Sequence, residues 1–164
     1  RDFHKQMGRT FDWSQWKCDA SNKPYIENGF KFNISHSANR VVVAFSTEEI
    51  GIDIEENKEH TELDDILSYF HIDEQKLIKA SDNLHETFLK AWTRKEAYLK
   101  ASGEGIVNGL ADQNCMQDVV QLFNQSYQLE TTQEIDGYII SICAPINHQL
   151  NIEEQRFLDR IQWV

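Results

Sequence analysis

Few cysteines, no long apolar run and a shortage of positive charge set the first limits on this chain of 164 residues. Cys18, Cys115 and Cys143 are odd in number, far apart and without C-x-x-C spacing. That argues against a disulfide framework or a zinc site and fits reduced thiols in a cytoplasm. No stretch has the length and apolarity of a bilayer span, and no tandem repeat or low-complexity tract appears. Lysine and arginine number 16 against 27 aspartates and glutamates, a net charge of -11. Nucleic acid demands a basic face, so it is not the expected partner, and nothing points to an anionic membrane. What remains is 40% hydrophobic and 26% charged, the balance of a globular protein with one domain or two small halves sharing a core.

Short β-branched runs occupy the first third: "FKFNIS" (30–35), "RVVVAFS" (40–46) and "IGIDIE" (50–55). Their turn-sized gaps predict antiparallel meander pairing. Helical spacing follows in "TELDDILSYF", with Leu63, Ile66, Leu67 and Phe70 on one side and Thr61 as N-cap. "DEQKLIKA" reads as a short helix capped by Asp73, and the longest helix runs from about Asn83 to Ala101, stopped by Gly103. Strands are expected near 118–123, 126–132 and 136–144, then a short helix behind Asn151. Strands, helices, strands: the order predicts an α+β fold, not a parallel doubly wound sheet.

Chemistry concentrates in three places. In a strand, residues two apart share a face, so Asp53 and Glu55 point together while Ile52 and Ile54 turn to the core. Two carboxylates at that spacing resist ionising unless a cation sits between them. Mg²⁺ takes one or two carboxylates plus phosphate and water oxygens. Glu96, on the long helix, is placed to join them, with Lys100 one turn on at i+4. A carboxylate beside an ammonium suits phosphoryl chemistry. The competing reading is a solvated strand end and a surface salt bridge. The third place is "FNISHS", where Ser35 and His36 stand at a strand end suited to a phosphate or nucleotide, or to water alone.

Together these stretches resemble the 4'-phosphopantetheinyl transferases of the larger, surfactin-synthetase-activating type. The match is ordered: Lys23-Pro24, then "FNISHS" (32–37), "GIDIE" (51–55) and "WTRKEAYLKASGEGI" (92–106). It covers roughly residues 20 to 145. The resemblance implies two similar α/β halves, each an antiparallel sheet plus a long helix, around a pseudo-twofold axis with coenzyme A between them. Residues 1–48 would be the remnant of a truncated first half and 49–164 the complete second half. The chain begins at Arg1 rather than Met, so an upstream segment is expected to complete the opening and cover strands that would otherwise lie bare.

The implied reaction moves the phosphopantetheine arm of coenzyme A to a serine of an apo acyl or peptidyl carrier protein in the cytoplasm, releasing 3',5'-ADP. Carried over residue by residue, Asp53 and Glu96 are expected to ligate Mg²⁺, with Glu55 in the same shell. Glu96 would also take the serine proton, and Lys100 and Lys95 would meet phosphate. Ser35 and His36 would contact the nucleotide end, His36 at the 3'-phosphate, and Lys23 and Pro24 would line the adenine side. Trp92 reads as core packing. Carrier proteins are acidic, so this acidic chain needs a local docking patch, for which Arg40, Lys90 and Arg94 are the candidates. Two alternatives stay open: a non-catalytic relative that binds coenzyme A or a carrier, and a divalent-metal phosphohydrolase.

Overall fold

The computed structural model describes residues 15–19, 23–27, 29–58, 63–103 and 111–146. In chain order they form β1 (Trp16–Cys18), β2 (Pro24–Ile26), β3 (Lys31–Ser37), β4 (Arg40–Ser46), β5 (Gly51–Glu56), α1 (Leu63–Leu67), α2 (Ile72–Lys79), α3 (Leu84–Ser102), β6 (Val119–Leu122), β7 (Gln125–Thr132) and β8 (Tyr138–Pro145). All pairings are antiparallel: β1 with β2, β3 with β4, and a four-stranded sheet in the order β5-β8-β7-β6. This is the expected α+β arrangement. One sheet-plus-long-helix unit, β5–β8 with α3, is present among the described residues. The two-half symmetry is not seen among them.

The expected meander breaks after β4. β5 pairs with β8, Asp53 opposite Ser141, instead of continuing the β3–β4 hairpin. β8 can sit at the centre because all eight of its residues are buried. The open edge of β5 is closed by side chains of β3 rather than by a backbone ladder. Asn33 Oδ1 accepts from Ile52 N at 2.9 Å and Ser37 Oγ accepts from Glu56 N at 3.0 Å. Period-2 alternation puts Asn33, Ser35 and Ser37 on that side of β3. Left unpaired, such buried backbone donors would each cost about 1–3 kcal/mol.

Two apolar layers sandwich the sheet. Ile50, Ile52 and Ile54 join Tyr138, Ile140, Ile142 and Ala44, with Val42 against them. On the other face α3 lays Ala97, Leu99 and Ala101 over Val120, Leu129 and Cys143. Leu67 and Phe70 meet Phe88, Leu89 and Ile139, with Leu63 and Ile66 alongside, as their spacing predicted. Asn83 caps α3 by accepting from Glu86 N, and Gly103 ends it in a left-handed conformation, φ 76°. The cap of α2 is His71, not Asp73: its ring accepts from Asp73 N while Glu74 reaches back to His71 N. Thr61 and the helix expected behind Asn151 lie outside the described residues.

The outer face of the β3–β4 hairpin is apolar and open. Val41, Val43 and Phe45 remain 67%, 43% and 43% exposed and Ile34 37%, beside packed Phe30, Phe32 and Trp16 rings. No described helix is long and apolar enough to cross a membrane.

Candidate active site

Helix α3 turns one stripe toward β5. Trp92, Glu96 and Lys100 stand four residues apart and so lie on one face. They line an open cleft of about 290 Å³ with Ile34, Ser35 and His36 from β3 and Asp53 and Glu55 from β5. Gly51 sets how close helix and strand come. A Cβ there would run into the Ala97 carbonyl and lie 2.6 Å from Ala101 N, so only glycine admits this approach.

The electrostatics of the cleft are those of crowded, half-compensated acids. Asp53 is 4% exposed; its Oδ1 accepts from Lys100 Nζ at 2.6 Å and from Ser35 Oγ at 2.8 Å. Lys100 Nζ also donates to Ser35 Oγ at 3.0 Å. Burial nevertheless lifts the Asp53 carboxyl above its ordinary range, against the pull of Lys100 and Ser35. Glu96 goes further: burial first, then repulsion from Asp53 and Glu55, raise it to about 7 although Lys100 lowers it. Two buried carboxylate oxygens, Asp53 Oδ2 and Glu96 Oε1, have no hydrogen-bond partner. Buried polar atoms are normally satisfied, so such a pair asks for an external ligand.

A divalent cation fits that demand, since hard cations take carboxylate oxygens. Asp53 and Glu96 supply them. Glu55 lines the same cleft, but its Oε2 accepts from Ser37 Oγ at 3.0 Å. Among the described residues no three His, Cys, Asp or Glu side chains gather closely enough to make a cage. Two carboxylates plus substrate oxygens match a Mg²⁺ site better than an all-protein one.

The family model for the 4'-phosphopantetheinyl transferase superfamily matches residues 49–143. The chain belongs to that superfamily. Among its curated relatives, the 4'-phosphopantetheinyl transferase gsp of Aneurinibacillus migulanus is 32% identical over 138 residues, 79% of this chain and 58% of that one. The transferase HetI of Nostoc sp. is 37% identical over 100 residues, 58% of this chain and 42% of that one. The chain thus spans about half the length of the curated relatives it matches. The holo-[acyl-carrier-protein] synthase structure from Thermotoga maritima aligns with 59% of this chain and 62% of its own at 18% identity, TM-score 0.41.

Several expected site residues of this transferase-family chain lie elsewhere. Lys95 is rotated about 100° from Glu96 around the helix and points to α2, not to phosphate. Its buried Nζ pairs with Glu74 at 2.9 Å, donates to Gln113 O at 2.6 Å and sits over the Phe70 ring. Arg94, one of the three docking candidates, is 2% exposed. It binds the Cys115 and Gln117 carbonyls and Asp118, stitching the 113–118 segment to α3. Arg40 and Lys90 are exposed. Lys23 and Pro24 do not line the cleft: Lys23 Nζ donates to Lys100 O at 2.7 Å and to Glu49 at 3.4 Å, and Pro24 pairs with Cys18. Ser35 spends its hydroxyl on Asp53 and Lys100, while exposed His36 lines the wall.

Trp92 stacks with Phe70 and Phe88 as core packing, yet it also lines the cleft. Sequence reasoning gave Gly51 and Asn33 no structural role, and it grouped Ser37 with Ser35 and His36 as a strand-end patch for phosphate without seeing that it bonds β5. The signals were there: a glycine inside a strand marks a close backbone approach, and polar residues at 33, 35 and 37 recur with strand period.

Proposed function

We propose that this chain carries the catalytic acids of a Mg²⁺-dependent 4'-phosphopantetheinyl transferase of the cytoplasm, acting on coenzyme A and an apo acyl or peptidyl carrier protein. The observation that carries this reading is the pair of buried, unpartnered oxygens on Asp53 and Glu96 beside the Lys100 ammonium, facing an open cleft. Asp53 and Glu96 hold the metal, with Glu55 at their side. Bound there, the cation neutralises the diphosphate of coenzyme A.

The carrier serine oxygen bonds to the phosphorus that bears the pantetheine arm, and the bond from that phosphorus to the bridging oxygen breaks. The serine proton passes to Glu96, directly or through water, and 3',5'-ADP departs with the bridging oxygen. Without a metal, burial and the neighbouring acids raise the Glu96 carboxyl to about 7; its role as base rests on its position in the cleft beside Asp53 and Lys100. Lys100 counters charge on the transferring phosphate, and exposed His36, on the cleft wall, takes the 3'-phosphate end in this reading.

Incubation with coenzyme A, Mg²⁺ and an apo carrier tests the reading. Gain by the carrier of one phosphopantetheine arm supports it. Coenzyme A binding without gain marks a non-catalytic relative, and cleavage of coenzyme A without a carrier marks a phosphohydrolase; either result overturns it.

A further inference from the structure

We infer that Lys100 is the resident cation of the acidic cleft: its ammonium holds the Asp53–Ser35 node until a divalent cation displaces it, and only then swings to the phosphate-bearing ligand. This deepens the function proposed above and rests on it. Lys100 Nζ has three oxygens around it: Asp53 Oδ1 at 2.6 Å, Ser35 Oγ at 3.0 Å and Ile52 O at 3.4 Å. An ammonium has three donors and no acceptor, so this set spends all of them.

One monovalent group nevertheless faces two acids. It satisfies one oxygen of Asp53 and leaves Asp53 Oδ2 and Glu96 Oε1 without partners. A divalent ion drawing on Asp53 and Glu96 together would sit within the reach of Lys100 Nζ. Two cations drawing on the one Asp53 carboxylate repel each other at that range, so loading favours exchange.

The side chain is built to move while its root stays fixed. The Lys100 side chain is 28% exposed, against 5% for Asp53, and its four-carbon stem can re-aim the ammonium. Its own carbonyl is anchored by Lys23 Nζ at 2.7 Å, so the backbone of the last helical turn is held while the tip swings. Lys95 shows the contrasting case, a lysine 1% exposed and locked onto a fully buried Glu74. The apparent affinity for metal is then the intrinsic affinity reduced by the fraction of molecules whose ammonium is withdrawn.

Two measurements on the whole chain, made without coenzyme A, test this. The first follows reductive methylation of wild-type Lys100 by peptide mass spectrometry, with exposed Lys90 as internal reference. Mg²⁺ should speed Lys100 labelling relative to Lys90 by about threefold or more, because the freed amine leaves its ion pair. The second titrates Mn²⁺ by electron paramagnetic resonance, and Lys100→Met should bind it about tenfold more tightly. A lysine that merely repels the metal from a fixed position would tighten binding in Lys100→Met yet leave wild-type labelling flat; flat or slowed labelling overturns the exchange. Asp53→Asn keeps the two levels apart. If it leaves Mn²⁺ affinity unchanged, the metal assignment itself falls, and with it the exchange. If it weakens binding while labelling stays flat, only the exchange falls.

Discussion

Glu96→Gln should make the protein more stable and less active at once, a combination that no ordinary surface salt bridge would give. The Glu96 carboxyl is raised from 4.5 to about 7, by burial first and by Asp53 and Glu55 next. At about 1.4 kcal/mol per pH unit, holding it ionised costs the folded chain about 3 kcal/mol, trimmed to about 2–3 by the open side of the cleft. The sign follows from proton binding. Between pH 4.5 and about 7 the folded chain keeps a proton that the unfolded chain releases, so stability falls as pH rises through that window and levels off above it. Asp53, also raised, acts in the same direction. Glutamine removes the charge but buries an amide with no assured partner, a loss of about 1 kcal/mol. The net expectation in metal-free buffer is a gain of about 1–2 kcal/mol at pH 8, or about 2–8 °C in Tm for a chain of this size. At pH 4.5 or below, where Glu96 is already protonated in the folded state, the gain should vanish. Turnover should drop by about 10²–10⁴-fold at every pH. Thermal unfolding in chelator at the two pH values, paired with carrier loading, checks both. A variant less stable than wild type at pH 8, or one within about tenfold of its turnover, would refute the reasoning.

Three further outcomes are expected. Gly51→Ala forces α3 off β5, because its Cβ has no room beside Ala97 and Ala101; circular dichroism should show loss of about 1–3 kcal/mol, and the residual folded protein should lose metal affinity, whereas normal values for both would mean that the helix gives way freely. Lys95→Met breaks an ion pair whose side chains are 1% and 0% exposed and should cost about 3–5 kcal/mol in urea unfolding, while turnover per folded molecule stays within a few-fold; a large fall in turnover without destabilisation would return Lys95 to the phosphate site. His36→Ala should raise KM for coenzyme A more than it lowers kcat, with a smaller effect on dephospho-coenzyme A; equal losses on the two substrates would remove His36 from the 3'-phosphate.

What could be read from the sequence was whatever depends on periodicity within one element. The stripe of Trp92, Glu96 and Lys100 follows from helical spacing, and the shared face of Asp53 and Glu55 from strand alternation. Both converge on the cleft. The apolar positions of α1 and the stripe of α3 likewise found their cores. What stayed hidden depends on which elements meet. Nothing local distinguishes a β5 that continues the β3–β4 hairpin from one that pairs with β8, since β-branched runs suit either neighbour. The destinations of Lys95 and Arg94 were hidden for the same reason. A cation one or two positions from a proposed catalytic acid looks like part of its site until the helix is given neighbours, here Glu74 on α2 and the carbonyls of Cys115 and Gln117.

The same contrast explains how one helix carries three buried or half-buried cations in an acidic chain. Arg94 is buried among carbonyls and a carboxylate, and Lys95 is balanced by a carboxylate with no exposure of its own. Removing either cation would leave buried oxygens unmet, the Cys115 and Gln117 carbonyls for Arg94 and the Glu74 carboxylate for Lys95, so both serve to hold α3 in place. Lys100 is different in kind. It is more exposed than its partner Asp53, it faces more negative charge than it can neutralise, and it leaves two carboxylate oxygens unmet. Fixed charges with complete partners build a scaffold; a tethered charge with incomplete partners leaves work for a ligand to finish. By that criterion the Glu96–Lys100 turn is the end of α3 proposed for catalysis, and the buried anchors of Arg94 and Lys95 just before it hold Glu96 in the cleft with Asp53 before any ligand arrives.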